Sequence, residues 1–400
     1  MKWFRWVLLF STIATPVMAA KRISVGQLED LLRSLQQDKK NDAVTATALK
    51  QVELSEELTR SIMNSLMNIA PGPRTKEQIY VLEASSADLI PPPSDLPGSP
   101  APDTPKQQAI LGRAAVYAGG VYNQLPALTA TRTTLRFQDN VEVAASSGIS
   151  GKATADVGPP GFFNPASFVH FINSTEAQVA IEHGIEQVPN EAPRTNWGAN
   201  KMIALQEPNP SLGIVLKEAQ ASSSLKWLRW ELVNGREAAV FSFSVPKRES
   251  RLAVNVCCFP VTGQTGNLSS SDRPTGPDMA DVSHGATGPV AHGDFQTSTS
   301  WSNFKSGVPY HGELFIDPDS GIVVRMITQA ELKPTDVVHQ VDTRIDFGPA
   351  TVNGKILIVP LKTVINTEVV PNGESGEGGY ATRRTLFTAE YRNYQIADTR

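Results

Sequence analysis

Apolar residues recur at helical spacing near the start of the chain and at alternate positions through most of its second half, so helices followed by strands are predicted. Leu28, Leu31, Leu32 and Leu35 share one helical face, and Ser24 with Gln27 three residues on has the spacing of a capping box. Ser55 is a candidate cap for a second helix carrying Leu58, Ile62 and Leu66. Pro71-Gly72-Pro73 closes that helix, and a further one starts at Thr75 and runs through Ile79 and Leu82. Each of these helices is apolar on one stripe only, so they must pack on one another or on the next domain. Seven prolines then fall within residues 91–105, a composition that holds neither a helix nor a central strand and reads as a semi-rigid linker. A helix is expected over 106–123, with Ile110, Ala114, Tyr117 and Val121 on one side.

From Leu128 the pattern changes to β. Residues 131–137 are rich in β-branched side chains, and 225–233 and 236–245 flank Asn234-Gly235, the pair that specifies a two-residue type I′ hairpin. Setting Val233 opposite Arg236 places Leu232 opposite Glu237, Trp230 opposite Ala239 and Leu228 opposite Phe241. Leu228, Trp230, Leu232, Ala239, Phe241, Phe243 and Val245 then share one face, while Arg229, Glu231, Ser242 and Ser244 occupy the other, which predicts an antiparallel sheet with one buried side. A second hairpin is expected from 313–316 and 322–328 around Asp317-Pro318-Asp319-Ser320-Gly321. Further strands are expected at 339–347, 356–367 and 384–395, with long loops at 139–161, 263–294 and 368–382. The expected fold class is α+β: a helical module over 21–90, a Pro-rich linker over 91–105, and over 106–400 a large curved antiparallel sheet wrapped on its leading helix.

The first twenty residues change the picture of where the chain works. Lys2 and Arg5 precede an apolar run over 6–13, and Pro16 stands before Val17-Met18-Ala19-Ala20, the order of a secretory signal peptide cleaved after Ala19 or Ala20. An exported protein, periplasmic or extracellular, is therefore expected, and no later segment is long and apolar enough to span a membrane as a helix. A net charge of -4 without a Lys/Arg block offers no footprint for nucleic acid. The two cysteines, Cys257 and Cys258, are adjacent in a strand-like run and point to opposite faces, which favours two thiols over a vicinal disulfide.

The helix at 106–123 leading into 131–137, the hairpin over 314–323 and the stretch 348–362 together resemble the half-open barrel of the periplasmic lipoprotein-carrier superfamily. That resemblance implies a strongly curved sheet that wraps a helix and holds acyl chains. The chain from its Leu-rich first helix through the proline segment to Tyr310-His311-Gly312-Glu313 is more closely similar to a family of exported bacterial proteins with no assigned activity. Its leading helical module and long loops depart from the carriers.

Catalytic spacings are absent from the sequence: there is no G-x-S-x-G elbow, H-E-x-x-H helix, phosphate-binding glycine loop or C-x-x-C pair. Ser-x-x-Lys occurs at Ser223 to Lys226 and at Ser302 to Lys305 without its companion motifs. His284 and His292 lie near Asp278, Asp281 and Asp294 in a glycine-rich loop, a soft frame for a metal. His311 and Glu313 share a strand face, and Trp197, Trp227, Trp230 and Trp301 suit either a carbohydrate or lipid site or a core. No catalytic residue, metal ligand or cofactor is assigned. The sequence reading is a non-enzymatic binding protein in which Leu228, Trp230, Leu232, Phe241 and Phe243 line a site for an apolar, lipid-like ligand. The alternative is a filled core with an envelope protein partner docked through residues 21–90, and an exported hydrolase ranks third. An internal cavity in the sheet separates the first two.

Overall fold

A computed structural model describes residues 21–138, 169–182, 184–187, 204–205, 211–260, 301–369 and 383–397. Residues 1–20, where a signal peptide is expected, the loops 139–161 and 263–294, His284, His292, Trp197 and most of 368–382 lie outside the described residues, as do the side chains of Cys257, Cys258 and Trp301. Within the described residues the fold is α+β.

In the leading module, β1 (Lys21–Ile23) and β2 (Val52–Leu54) form a short parallel ribbon, connected through α1 (Val25–Gln37) and α2 (Asp42–Lys50); α3 (Arg60–Ile69) and α4 (Pro73–Ser85) come next. The predicted box at the start of α1 is present, with Ser24 Oγ accepting from the Gln27 amide and the Gln27 side chain accepting from the Ser24 amide. Ser55 caps no helix. Its amide instead extends the ribbon by donating to the Ile23 carbonyl, and α3 begins further on behind Thr59. Asp42, in the first turn of α2, accepts from the Arg74 and Thr75 amides and so supplies the start of α4 with the acceptor that Gly72 cannot offer. Leu28, Leu32, Leu49, Leu58, Leu66 and Ile79 close around one small core.

α5 (Thr104–Val116) opens behind Asp103, whose carboxylate accepts from the Lys106 amide, and runs on through a π turn over Tyr117–Val121. The strands are β3 (Leu128–Gln138), β4 (His170–Glu182), β5 (Ile185–Gln187) and β6 (Ala204–Leu205). After α6 (Leu212–Ala221) come β7 (Lys226–Val233), β8 (Arg236–Val245), β9 (Ala253–Pro260), β10 (Trp301–Gly307), β11 (Tyr310–Ile316), β12 (Val323–Ala330), β13 (Val338–Val352), β14 (Lys355–Val369) and β15 (Arg383–Ile396). Ten of them form one antiparallel sheet in the order β5-β4-β3-β15-β14-β13-β12-β11-β8-β7, and β10-β9-β6 form a second.

The β7–β8 hairpin turns at Asn234 and Gly235, both with positive φ as a type I′ turn requires. Val233 faces Arg236, Leu232 faces Glu237 and Trp230 faces Ala239, as the sequence predicts. Between Trp227 and Arg229 the register shifts, so Trp227 rather than Leu228 stands opposite Phe241, and Leu228 is left 44% exposed. At the β11–β12 turn Asp317 Oδ1 accepts from the amides of Asp319 and Ser320. Gly321, with φ +76°, lies so close to α5 that a Cβ there would come within 2.5 Å of Arg113. Arg113 in turn donates to the Pro318 carbonyl at 2.6 Å, which ties the helix to the hairpin.

Both faces of the large sheet are covered, against the expectation of one buried and one solvated face. On one face α5, the turn at Tyr117 and Tyr122, and α6 pack on Phe241, Phe243, Tyr310, Leu314, Val323 and Phe347. On the other, α4 and the segment just after it lay Val81, Ala84 and Ala87 on Phe137, Val364 and Leu386, while Val240, Phe315 and Ile327 form a separate apolar patch. From Arg229 to Val245 the alternation is as predicted, and it fails at Leu228. The charged side chains assigned to water are buried instead, because each meets an opposite charge.

Candidate functional site

The residues predicted to line an apolar site divide three ways. Phe241, Phe243 and Trp230 are buried in the main core, Leu232 is half-buried, and Leu228 lies off the face at the bulge. Trp230 stacks edge-on with Trp227 at 4.9 Å, Trp227 with Phe241 at 5.6 Å, and Phe243 with Tyr310 at 5.8 Å, an interlocked aromatic row. Trp230 Nε1 donates to the Pro100 carbonyl at 2.9 Å, and the Lys106 ammonium stands 5.9 Å from its ring. The proline segment is thus fixed against the outermost strand, and α5 and α6 cover the aromatic row.

Opposite this row is a buried charge network that joins the helical module to the sheet. Glu57, in the segment before α3, receives Arg344 of β13 at 2.5 Å and Arg325 of β12 at 3.3 Å. Arg325 also meets Asp346 at 2.7 Å and Glu231 at 3.3 Å. Glu231 meets Arg229 at 2.7 Å, and Arg229 reaches Glu313 at 2.8 Å. The Arg229 and Arg325 guanidiniums lie against the Phe315 ring at 5.8 and 5.2 Å. Burial alone would raise the Asp346 carboxyl, yet Arg325 and Arg344 outweigh it and hold the group well below the usual carboxylate range. For Glu231 burial prevails, and its pKa is raised despite Arg229 and Arg325. A second buried contact pairs Lys362 of β14 with Glu83 of α4. Further along β13, Asp342 accepts from Gln340 and feels the charge of Asp88, just beyond α4. Burial first, then the charge of Asp88, push Asp342 up to about 7, against the hydrogen bonds from Gln340 and Gln329.

The third arrangement is a cleft of about 430 Å³ where α6 runs into β7, bordered by the end of β8 and the turn after it. Ser223 closes α6 with φ +52°, a left-handed position that usually falls to glycine. Its amide donates to the Gln220 carbonyl and the Ser224 amide to the Ala219 carbonyl, the bond pattern of a Schellman ending. Ser222 Oγ donates to the Ser244 carbonyl at 3.0 Å and Ser224 Oγ accepts from the Ser244 amide at 3.0 Å, so two hydroxyls clamp the helix end to β8. Ser223, Ser242, Ser244, Lys226, Arg248 and Glu249 line the opening.

No protein-family model, curated protein or solved structure matches the chain.

The remaining sequence motifs are dispersed. Ser223 and Lys226 of the first Ser-x-x-Lys match share the cleft, with Ser223 in the turn after α6 rather than in a strand. His311 and Glu313 take different partners: His311 Nδ1 lies 3.2 Å from Glu331, and Glu313 joins the Arg229 network. The residues that sequence reading missed, Glu57, Arg325, Arg344 and Asp346, carry one usable signal. Arg325 shares its strand face with Ile327, and Arg344 stands opposite Val364 of β14, apolar companions that a solvated face would not carry.

Proposed function

We propose that this chain is an exported, non-enzymatic interaction protein, in which a filled sheet forms a rigid platform for an envelope protein partner docked on the helical module over residues 21–90. One observation carries the reading: the aromatic face that an apolar ligand would need is buried by the chain's own α5 and α6. The lipoprotein-carrier resemblance supplies the competing reading, in which part of that face receives an acyl chain. The module, fixed to the sheet through Glu57 and Glu83, keeps Val44 of α2 and Tyr80 of α4 exposed, side chains a partner could bury.

Titration with a fluorescent fatty acid, combined with urea unfolding of Trp230→Ala, tests the choice. The interaction reading expects no saturable probe binding and a loss of about 3–5 kcal/mol in the variant, because the indole leaves a cavity. Saturable binding of the probe, weakened by Trp230→Ala at nearly unchanged stability, would replace it with the apolar-ligand reading. A photo-crosslinking residue at position 44 or 80 should capture one discrete envelope protein, and the same residue at Ile356, exposed at the far β13–β14 turn, should not.

A further inference from the structure

We infer that Trp227 and Trp230 of β7 form a reading site for proline-rich segments, occupied in cis by the chain's own residues 97–102 and competent to take such a segment from a partner. The surface is a different one from the helical module and does not depend on the docking proposed there. The starting point is what already lies on Trp230. Over residues 97–103 the chain runs without a turn. The rings of Pro97, Pro100 and Pro102 fix φ at about −65°, and each residue before a proline is pushed to extended backbone. Asp103, at φ −65° and ψ 164°, continues the polyproline II geometry. Such a strand has no internal hydrogen bonds, so its carbonyls are free to meet a donor. Trp230 supplies one, its Nε1 donating to the Pro100 carbonyl at 2.9 Å. Aromatic walls are the general means by which proline-rich strands are read, and an indole adds a donor to the wall.

Trp227 is the second half of the site, and its donor is idle. Its ring lies 4.9 Å from that of Trp230, within two residues of a polyproline II strand at about 3.1 Å each. It is half-buried, and its indole N–H has no acceptor among the described residues. Leu228 beside it is 44% exposed. The cis strand therefore uses one indole donor of two, and a longer strand from a partner gains the other. The hold on the cis strand is slight. Gly98, Ser99, Pro100 and Ala101 are exposed, and Trp230 makes the one hydrogen bond from the sheet to residues 97–101 among the described residues. Occupancy in cis lowers the apparent affinity for a partner in proportion to the open fraction, so the strap sets a threshold for binding.

Heteronuclear NMR of the indole N–H signals tests this, with deca-L-proline as the probe and a glycine-serine peptide of the same length as the control. The expected result is a saturable shift of the Trp227 Nε1–H signal with deca-proline and none with the control. Pro97→Gly combined with Pro100→Gly loosens the cis strand, and should tighten deca-proline roughly tenfold by raising the open fraction. Trp227→Phe keeps an aromatic ring and removes the donor, so it should weaken deca-proline several-fold while the unfolding midpoint stays close to that of the wild type. The inference is overturned if the Trp227 signal stays still with deca-proline on the order of 1 mM in both the wild type and the double variant. It is equally overturned if the control peptide binds as well, or if the double variant binds deca-proline no more tightly than the wild type. Residues 97–102 would then be a cover for the strand edge alone.

Discussion

The two faces of the ten-stranded sheet are buried by different means. Under α5 and α6 the contact is apolar and aromatic, and its stability follows the area removed from water. Under the helical module an apolar strip beside α4 continues into three guanidiniums and four carboxylates, of which Glu57, Glu231, Arg325 and Arg344 are buried and the rest partly buried. A hydrophobic contact tolerates any filler of similar shape, whereas a buried charge tolerates only its partner. The first face is therefore a general adhesive, and the second admits this module in one register.

The largest effects separate the two mechanisms. Phe241→Ala should cost about 3–5 kcal/mol through the cavity it leaves, and the loss should be the same at low and high salt. Arg344→Met should cost a similar amount, about 3–5 kcal/mol, because Glu57 and Asp346 would keep their buried charge with only Arg325 to answer it. Urea unfolding of both variants checks this, and the comparison fails if Arg344→Met is as mild as a surface substitution. The Lys362–Glu83 contact gives a sharper form. Lys362→Met alone should be strongly destabilising, while Lys362→Met with Glu83→Leu should recover most of the loss, since a buried ion pair can be exchanged for apolar side chains at little net cost.

The pH dependence also belongs to the module face, with two opposite signs. Asp342 has its pKa raised to about 7 in the folded protein, against about 3.9 for an unfolded chain. Between those values the folded state binds the extra proton, so stability should fall as pH rises from about 4 to about 7, by a few kcal/mol at most. Asp342→Asn should flatten that slope. Asp346, held low, contributes stability that is present above about pH 4 and lost as the medium becomes more acid. Unfolding curves collected across this range should show the first slope in the wild type and not in Asp342→Asn. The smallest effect expected is that of Gly235→Ala, about 1 kcal/mol, because the position has positive φ with open space around it and only backbone strain is added. The hairpin it closes sets Leu232 opposite Glu237 and Trp230 opposite Ala239.

How far the sequence could be read depends on the range of the forces involved. Asn234-Gly235 and the Ser24–Gln27 box act within a few residues, and both are in place. The α+β class was legible in the change of apolar period. β4 was not, because His170–Glu182 is largely polar and takes its conformation from pairing with β3 rather than from a pattern of its own. α2 and α6 are short and carry weak apolar stripes, and each depends on a side-chain cap, from Asn41 and Ser211. The charge network was hidden by distance: Glu57 and Arg344 are 287 residues apart, and neither side chain looks unusual in its own segment. In the cleft the Ser-x-x-Lys spacing brought out Ser223 and Lys226 but not Ser244 and Glu249, which join them only through the clamp of α6 on β8.

The place of β15 in the sheet has a consequence for the order in which the molecule can be made. β15 lies in the interior, pairing β3 on one side, with Thr131 opposite Arg392, and β14 on the other, with Thr363 opposite Ala389. A chain that emerges amino end first can assemble β5-β4-β3 as one ribbon and β14 through β7 as another, yet among the described residues the two are paired only through residues 383–396, which lie between them. Until β15 is in place each ribbon presents an open edge, the state in which strands of neighbouring chains pair wrongly. Pulsed hydrogen exchange should therefore find the β3 and β14 edge amides protected together and late, with β15 acting as the rate-setting strand.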